Sequence, residues 1–186
     1  MLEFFQNIDT QLFLFFNATL ANPVFDWLMP FITKKQTWYP VWAVLIVGLV
    51  WKGGPKGRWV IVMAIFVVTV TDQTAASLMK PFFERVRPCN VVEGAHMLVN
   101  KKSSWSMPSA HAANFFGVAM LFSYFYRKYQ WICWTCAVLV GYSRIAIGVH
   151  YPFDVLVGAL VGVAGSLLVI GIFQYFYHMK TGTYLK

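Results

Sequence analysis

The feature that most constrains this chain is an apolar run near its C-terminus, which holds no charged residue from Val155 to Tyr177. Such a run is long enough to cross the hydrocarbon core of a bilayer, which takes about 20 helical residues. Only 12% of the chain is charged and 59% is hydrophobic, whereas soluble domains carry about 25% charged residues. The chain therefore lacks the residues to cover a soluble surface, and its composition predicts a multi-pass membrane protein.

Further apolar segments predict an all-α membrane bundle of five to six transmembrane helices. The five clearest spans are 36–51, 58–80, 110–127, 131–149 and 152–177. The segment 10–32 is also apolar, but Asn17, Asn22, Pro23 and Asp26 interrupt it. Two short helices lying in the membrane interface fit this segment better than a straight sixth span. The whole chain is expected to form a single membrane-embedded domain.

The span count between polar residues decides which of them share a face of the membrane. Lys80, His111, His150 and Asp154 lie at span ends, and the crossings between them place all four on one face. The loops of the opposite face carry basic residues and no Asp or Glu: Lys52, Lys56, Arg58, Arg127, Lys128, Lys180 and Lys186. Because cytoplasmic loops are enriched in Lys and Arg, we expect the polar face to lie outside the cell. No basic run is interleaved with polar sequence, so the net charge of +8 does not indicate nucleic-acid binding.

Three polar clusters with fixed internal spacing lie on this outer face. They are Lys80-x6-Arg87-Pro88, Pro108-Ser109-Ala110-His111 and Ser143-Arg144-x5-His150-x3-Asp154. Taken singly, each basic residue is better explained as an interfacial cation that reaches toward lipid headgroups. Taken together, Lys80, Arg87 and Arg144 have the charge to neutralise a phosphate, which arginine binds in a bidentate manner. The clusters therefore favour a phosphate-binding site.

The second cluster adds a helix N-terminus to these cations. Ser109 and the backbone N–H groups of Ala110 and His111 are placed to begin a helix. A helix N-terminus binds anions through its free N–H groups and its dipole. The carboxylates are too few, and the histidines too far apart, to indicate a two-metal centre.

The third cluster supplies a candidate nucleophile. Pro152 suits the first turn of a helix, which places Asp154 in that turn, close to His150. A carboxylate that holds one ring N–H of a histidine leaves the other nitrogen free to attack phosphorus. His111 would then protonate the leaving alkoxide and later activate water.

These clusters resemble the signature of the type-2 phosphatidic acid phosphatase superfamily, which reads K-x6-RP, PSGH and SR-x5-H-x3-D. Every spacing matches, and the only departure is Ala110 in place of the family glycine. The resemblance implies that Lys80, Arg87, Ser109, Ala110 and Arg144 bind phosphate. It implies in addition a catalytic set in which His150 forms a phosphohistidine, Asp154 is its partner and His111 is the general acid. Alanine is harmless at this position if the residue simply begins a helix.

The resemblance further implies a bacterial inner-membrane enzyme that acts on lipid phosphates and needs no metal or other cofactor. Its expected partners are membrane lipids and the lipid phosphate substrate, with no nucleic acid. Undecaprenyl pyrophosphate and phosphatidylglycerol phosphate rank slightly ahead of phosphatidic acid and lipid A, on family frequency alone. A lipid-to-lipid phosphotransferase uses the same residues and stays an alternative. A transporter is disfavoured because its polar residues would lie near the membrane midplane.

Other polar residues are left outside this predicted site. Asp72 lies inside the second span, where a carboxylate is a functional candidate by default. It is expected to pair with Gln73 or Thr74, or to anchor the helix that carries Lys80. The loop residues Glu84, Arg85 and His96 are expected to be solvated, although Arg85 has the alternative of touching a lipid headgroup.

Overall fold

The computed structural model describes residues 2–185, and this part of the chain is all-α as predicted. The helices are α1 (Leu2–Leu14), α2 (Pro23–Thr33), α3 (Lys35–Trp51), α4 (Gly54–Gln73), α5 (Lys80–Phe83), α6 (Pro88–Val91), α7 (Ala110–Phe125), α8 (Gln130–Ala146) and α9 (Pro152–Thr181). Five of them, α3, α4, α7, α8 and α9, correspond to the five predicted spans. Between residues 92 and 109 the chain forms a loop without regular structure.

The N-terminal segment forms two helices with a sharp bend, as the polar interruptions predict. The first of these, α1, continues as a π-helical turn over Phe15–Thr19, and α2 begins at Pro23. The chain bends by 113° between the two helical stretches. The break occurs at Asn22, whose side chain accepts a hydrogen bond from the backbone N–H of Phe25 at 3.0 Å. A capping asparagine followed by proline at the first helical position is a strong start signal, so the chain begins a new helix here.

Helix length and apolarity support only some of the predicted membrane spans. The stretch 54–91 and helix α9 are long and apolar enough to cross a membrane, and the bent N-terminal pair makes a third if it is one span. Helices α3, α7 and α8 have only 16 or 17 residues. At 1.5 Å per residue each covers about 25 Å, slightly less than a typical hydrocarbon core.

Helix α7 lies at the centre of the bundle, packed against α4, α8 and α9. Its contact with α9 is close because α9 presents Gly158 and Gly162 to it. A Cβ at Gly158 would meet the carbonyl oxygen of Ser109, and one at Gly162 would meet that of Ala113, both closer than 3.0 Å. Small residues four apart allow membrane helices to approach in this way. The close approach fixes the start of α7 against the start of α9.

Large apolar side chains cover the outside of the bundle. Val44, Trp51 and Trp131 are each at least 75% exposed, and Leu160 is 61% exposed. A water-soluble surface rarely shows large continuous apolar patches. Lipid contact accounts for this surface, in agreement with the composition.

Candidate active site

The three polar clusters line one cavity of about 530 Å³ at one end of the bundle. The residues of the clusters that line it are Lys80, Arg87, Ala110, His111, Arg144 and His150. Two predicted site residues, Ser109 and Asp154, are fully buried behind this lining. The structure therefore brings together side chains from three separate parts of the chain, as crossing parity predicts.

His150 lies in the short loop between α8 and α9 and is only 2% exposed. Its Nδ1 is 3.4 Å from Asp154 Oδ2, and its Nε2 is 3.0 Å from Nη1 of Arg87. A guanidinium has only donors, so Nε2 must accept and the ring proton must be on Nδ1. The two contacts thus favour the tautomer in which Nε2 carries a lone pair.

Asp154 is held at the start of α9 by backbone contacts. Its Oδ2 accepts a hydrogen bond from the backbone N–H of Tyr151 at 2.9 Å, and its carbonyl oxygen accepts one from the N–H of Ser109 at 2.9 Å. Tyr151 precedes Pro152, so the carboxylate in the first turn satisfies a free N–H group at the helix start. The second contact joins the start of α7 to the start of α9.

Arg87 is fixed from two sides of its guanidinium. Its Nε donates to the carbonyl oxygen of Ser104 at 2.8 Å and Nη2 donates to the hydroxyl of Ser104 at 3.1 Å. Its Nη1 donates to the carbonyl oxygen of Val149 at 2.9 Å. These contacts hold the guanidinium beside the ring of His150, at the wall of the cavity.

The two other cations, Arg144 and Lys80, differ in the contacts that their side chains form. Arg144 is 9% exposed, and its Nη1 donates to the hydroxyl of Thr33, while its Nε has no partner among the described residues. Lys80 follows a π-helical turn, Thr74–Met79, and its ammonium forms no hydrogen bond or ion pair within residues 2–185. Single π-helical turns are frequent at functional sites. Both side chains keep donors available for an anion in the cavity.

The cluster around Ser109 begins α7 as predicted. The Ser109 hydroxyl accepts a hydrogen bond from the N–H of Ala112 at 3.4 Å, which makes Ser109 the N-cap. Ala110 is the first residue of α7, and its φ is not positive. Alanine adopts this conformation without strain, so the geometry does not need the family glycine.

The surroundings of His150 disfavour its protonation. Burial is the main cause, and the positive charges of Arg87, Arg144 and Lys80 act in the same direction. Together they lower the pKa of His150 well below its usual value of 6.5. The ring is therefore neutral at pH 7, the form that can act as a nucleophile.

The surroundings of Asp154 contain two residues that the sequence did not place there. The side chain of Arg85 is only 17% exposed, and its Nη1 is 2.8 Å from Asp154 Oδ1 and 2.7 Å from Asp9 Oδ2. Asp9, on α1, was not predicted at all and is completely buried. His96 is half-exposed and its Nε2 is 2.9 Å from Oδ1 of Asp26.

Asp72 also has a different partner from the predicted one. Its Oδ1 accepts a hydrogen bond from Asn114 Nδ2 at 3.2 Å, and Asn114 Oδ1 accepts one from the Thr71 hydroxyl at 2.7 Å. The predicted partner Gln73 instead accepts from Ser77 at 2.9 Å. Asp72 therefore joins α4 to α7 at the wall of the same cavity.

Comparison with known proteins confirms the family resemblance of the motifs. The family model described as the PAP2 superfamily matches residues 59–178. The chain is 35% identical over 179 residues to the lipid A 4'-phosphatase of Bacteroides thetaiotaomicron, covering 90% of this chain and 78% of that protein. It is 33% identical over 139 residues to the undecaprenyl-diphosphatase of Sulfolobus acidocaldarius, covering 73% and 64% of the two chains.

A solved structure shows the same architecture. The crystal structure of Aquifex aeolicus LpxE aligns with a TM-score of 0.73 at 26% identity, covering 87% of this chain and 93% of that one. The family match covers more than half of the chain and includes all three polar clusters. The chain therefore belongs to the PAP2 superfamily and is a membrane lipid phosphatase.

Proposed function

We propose that the enzyme transfers the phosphoryl group of a lipid phosphate to His150 and then to water. In the first step Nε2 of His150 attacks phosphorus, forming a P–N bond while the bond from phosphorus to the lipid oxygen breaks. His111 gives its proton to the departing lipid alkoxide. The observation that carries this proposal is the pair of contacts on His150, with Asp154 at Nδ1 and Arg87 at Nε2.

The second step releases inorganic phosphate. Neutral His111 takes a proton from a water molecule, whose oxygen attacks the phosphorus of the phosphohistidine as the P–N bond breaks. His150 returns to its neutral form, and His111 is again protonated for the next turnover. Microscopic reversibility explains why one residue acts as acid in the first step and as base in the second.

The cations and the start of α7 form the proposed phosphate cradle. Arg144 and Lys80 line the cavity with positive charge, and Arg87 lies beside the attacking nitrogen. Ser109 caps α7, so that the N–H groups of Ala110 and His111 remain for the phosphoryl oxygens. Such fixed donors stabilise the charge that develops on the phosphoryl group in the transition state. This set of residues needs no metal ion to neutralise the phosphate.

We infer that the first substrate to test is a lipid A-type sugar phosphate monoester. The support comes from the Bacteroides thetaiotaomicron relative, which is named a lipid A 4'-phosphatase and matches 90% of this chain. This changes the ranking made from the sequence, which placed undecaprenyl pyrophosphate and phosphatidylglycerol phosphate slightly ahead of lipid A. Undecaprenyl pyrophosphate stays the second candidate because a relative of that activity is 33% identical.

We propose that α3, α4, α7, α8 and α9 cross the membrane and that the cavity opens on the outer face of a bacterial inner membrane. The exposed apolar side chains on these helices support the crossings. The basic loops at the end of the bundle opposite the cavity support the orientation. The bent α1–α2 pair would lie in the outer interface, close to the site.

The experiment that tests the proposal is phosphate release in detergent micelles from a panel of lipid phosphates. The panel contains lipid A, undecaprenyl pyrophosphate, phosphatidylglycerol phosphate and phosphatidic acid. We expect wild type and His178→Ala to release phosphate from at least one lipid, and His150→Ala to release none. His178 is a suitable control because it lies on α9 outside the cavity. Turnover by His150→Ala would overturn the nucleophile assignment.

A further inference from the structure

Asp154, the partner of the proposed nucleophile, does not stand alone. Nη1 of Arg85 donates a hydrogen bond to Asp154 Oδ1 at 2.8 Å, while Asp154 Oδ2 faces His150. The guanidinium of Arg85 also lies 3.9 Å from the ring centre of Tyr151, the residue after His150. Arg85 thus contacts one oxygen of the Asp154 carboxylate, and His150 contacts the other.

A second carboxylate closes this arrangement from the N-terminal helix. Asp9 Oδ2 is 2.7 Å from the same Nη1 atom of Arg85. Asp9 Oδ1 accepts a hydrogen bond from the backbone N–H of Phe153 at 2.9 Å, in the first turn of α9. Asp9 is therefore fixed on two sides, and one of them is the helix turn that carries Asp154.

The placement of Asp9 on α1 is part of a buried stripe. Asp9, Phe13 and Asn17 follow one another at intervals of four residues, and each is at most 1% exposed. Phe13 packs edge-on against Tyr151 with ring centres 5.5 Å apart. Asn17 donates to the carbonyl oxygens of Ile145 and Ala146 at 3.1 and 2.8 Å, at the end of α8. The second half of α1 and the π-helical turn after it therefore contact both helices that flank the loop of His150, although these residues lie outside the family match at residues 59–178.

We propose that Asp9 and Arg85 are positioning residues that hold Asp154, ionised and correctly oriented, against His150. A single guanidinium shared by two buried carboxylates leaves one net negative charge, and this charge stabilises the proton on Nδ1 and the positive ring formed during attack. Without Arg85, the carboxylates of Asp9 and Asp154 would face each other with no cation between them. Two carboxylates in one site repel each other, which raises the pKa of one of them and favours its protonation. The inference rests on the proposed function, because it assigns these residues to the His150 chemistry.

Four variants separate this role from a general loss of stability. We expect Arg85→Gln to lower kcat about 10- to 100-fold with little change in KM, the loss typical when the partner of a functional ligand is removed. Arg85→Lys keeps one charge near both carboxylates and is expected to retain most of the activity. Asp9→Asn leaves Arg85 to Asp154 alone, which weakens the negative charge on the dyad, and should lower kcat by up to about 10-fold.

The decisive variant is the double substitution Asp9→Asn with Arg85→Gln. It removes the two carboxylates' repulsion together with the cation, so Asp154 ionises more readily than in Arg85→Gln alone, and kcat is expected to exceed that of the single variant. A purely structural role predicts the opposite, because two lost contacts cost more than one. Asp26→Asn is the matched control, since it removes the half-exposed ion pair between α2 and His96.

The proposal is overturned if all Asp9 and Arg85 variants match wild type while His150→Ala is inactive. It is also overturned if the double variant is less active than Arg85→Gln, or if KM alone changes. Turnover by His150→Ala would instead reject the proposed function itself, so the two failures are distinguishable. Unfolding midpoints in detergent, measured on every variant, identify any variant that loses activity because it fails to fold. If Arg85→Gln is such a variant, Arg85→Lys takes its place in the test, and it is expected to retain most of the activity.

Discussion

The close contact of α9 with the start of α7 makes a quantitative prediction at Gly158. A Cβ at this position would lie closer than 3.0 Å to the carbonyl oxygen of Ser109 and 3.1 Å from the Cβ of Ala112. To restore ordinary van der Waals contact with that oxygen, the start of α7 must move by about 1 Å. This shift moves Ser109, Ala110 and His111 relative to Arg87, Arg144 and His150, and so distorts the phosphate cradle. Overpacking of this kind costs about 1–3 kcal/mol of stability.

The expected result is a loss of both activity and stability in Gly158→Ala. A misplacement of about 1 Å at a reacting group lowers rates about 100-fold, so we expect kcat/KM to fall about 10- to 100-fold. Gly171→Ala on the same helix is the matched control, because nothing lies within 4 Å of a Cβ there. In that variant the gain in helix propensity should stabilise the protein by up to about 1 kcal/mol.

The measurements are phosphate release in micelles and the unfolding midpoint of each variant in the same detergent. We expect the two substitutions to differ: Gly158→Ala is less stable and less active than wild type, and Gly171→Ala is equally active and at least as stable. If Gly158→Ala matches Gly171→Ala in both measurements, the close approach of α7 and α9 does not position the cradle.

Three further predictions follow from the site. Because burial and neighbouring cations keep the pKa of His150 below 6.5, its neutral form persists as the pH falls through 6.5. The acid limb of the kcat/KM profile, corrected for the ionisation of the substrate phosphate near pH 6, should therefore lie below pH 6.5. An acid limb at or above pH 6.5 would contradict the assignment of His150 as the nucleophile. Ala110→Gly should change kcat/KM less than about 3-fold, because the residue begins a helix without positive φ; a large gain in activity would show that the cradle needs glycine. Since the cations neutralise the phosphate, activity should be unchanged in EDTA, and a strict requirement for a divalent ion in a metal-titration assay would refute this.

The sequence predicts the helices and the proximity of His150 to Asp154 because both depend on local patterns. An apolar run bounded by polar residues specifies a membrane helix whatever its neighbours are. The spacing from His150 to Asp154 is one helical turn, so their proximity follows from the helix itself. The same holds for Ser109, which caps the helix that starts at Ala110.

The errors concern contacts between distant parts of the chain. Asp72 was expected to pair with Gln73 or Thr74 or to anchor the helix that carries Lys80. Neighbours on a helix point in different directions, and its partner Asn114 comes from another helix, which agrees with the second alternative only. Arg85 was assigned to solvent because loop arginines are usually exposed. Its two carboxylate partners lie on α1 and α9, and no local pattern predicts that these helices meet. The available signal was the spacing of Asp9, Phe13 and Asn17, since residues four apart lie on one face of a helix, and two polar residues beside a phenylalanine on one face indicate a packed face with polar contacts.

The central claim is that His150 carries the phosphoryl group during turnover. The most direct measurement is a rapid acid-free quench of the enzyme with a ³²P-labelled lipid phosphate, followed by mapping of the labelled peptide. We expect a transient label on the peptide that contains His150, stable in alkali and lost in acid, and absent from His150→Ala. Turnover without a labelled enzyme, or a label on any other residue, would contradict it.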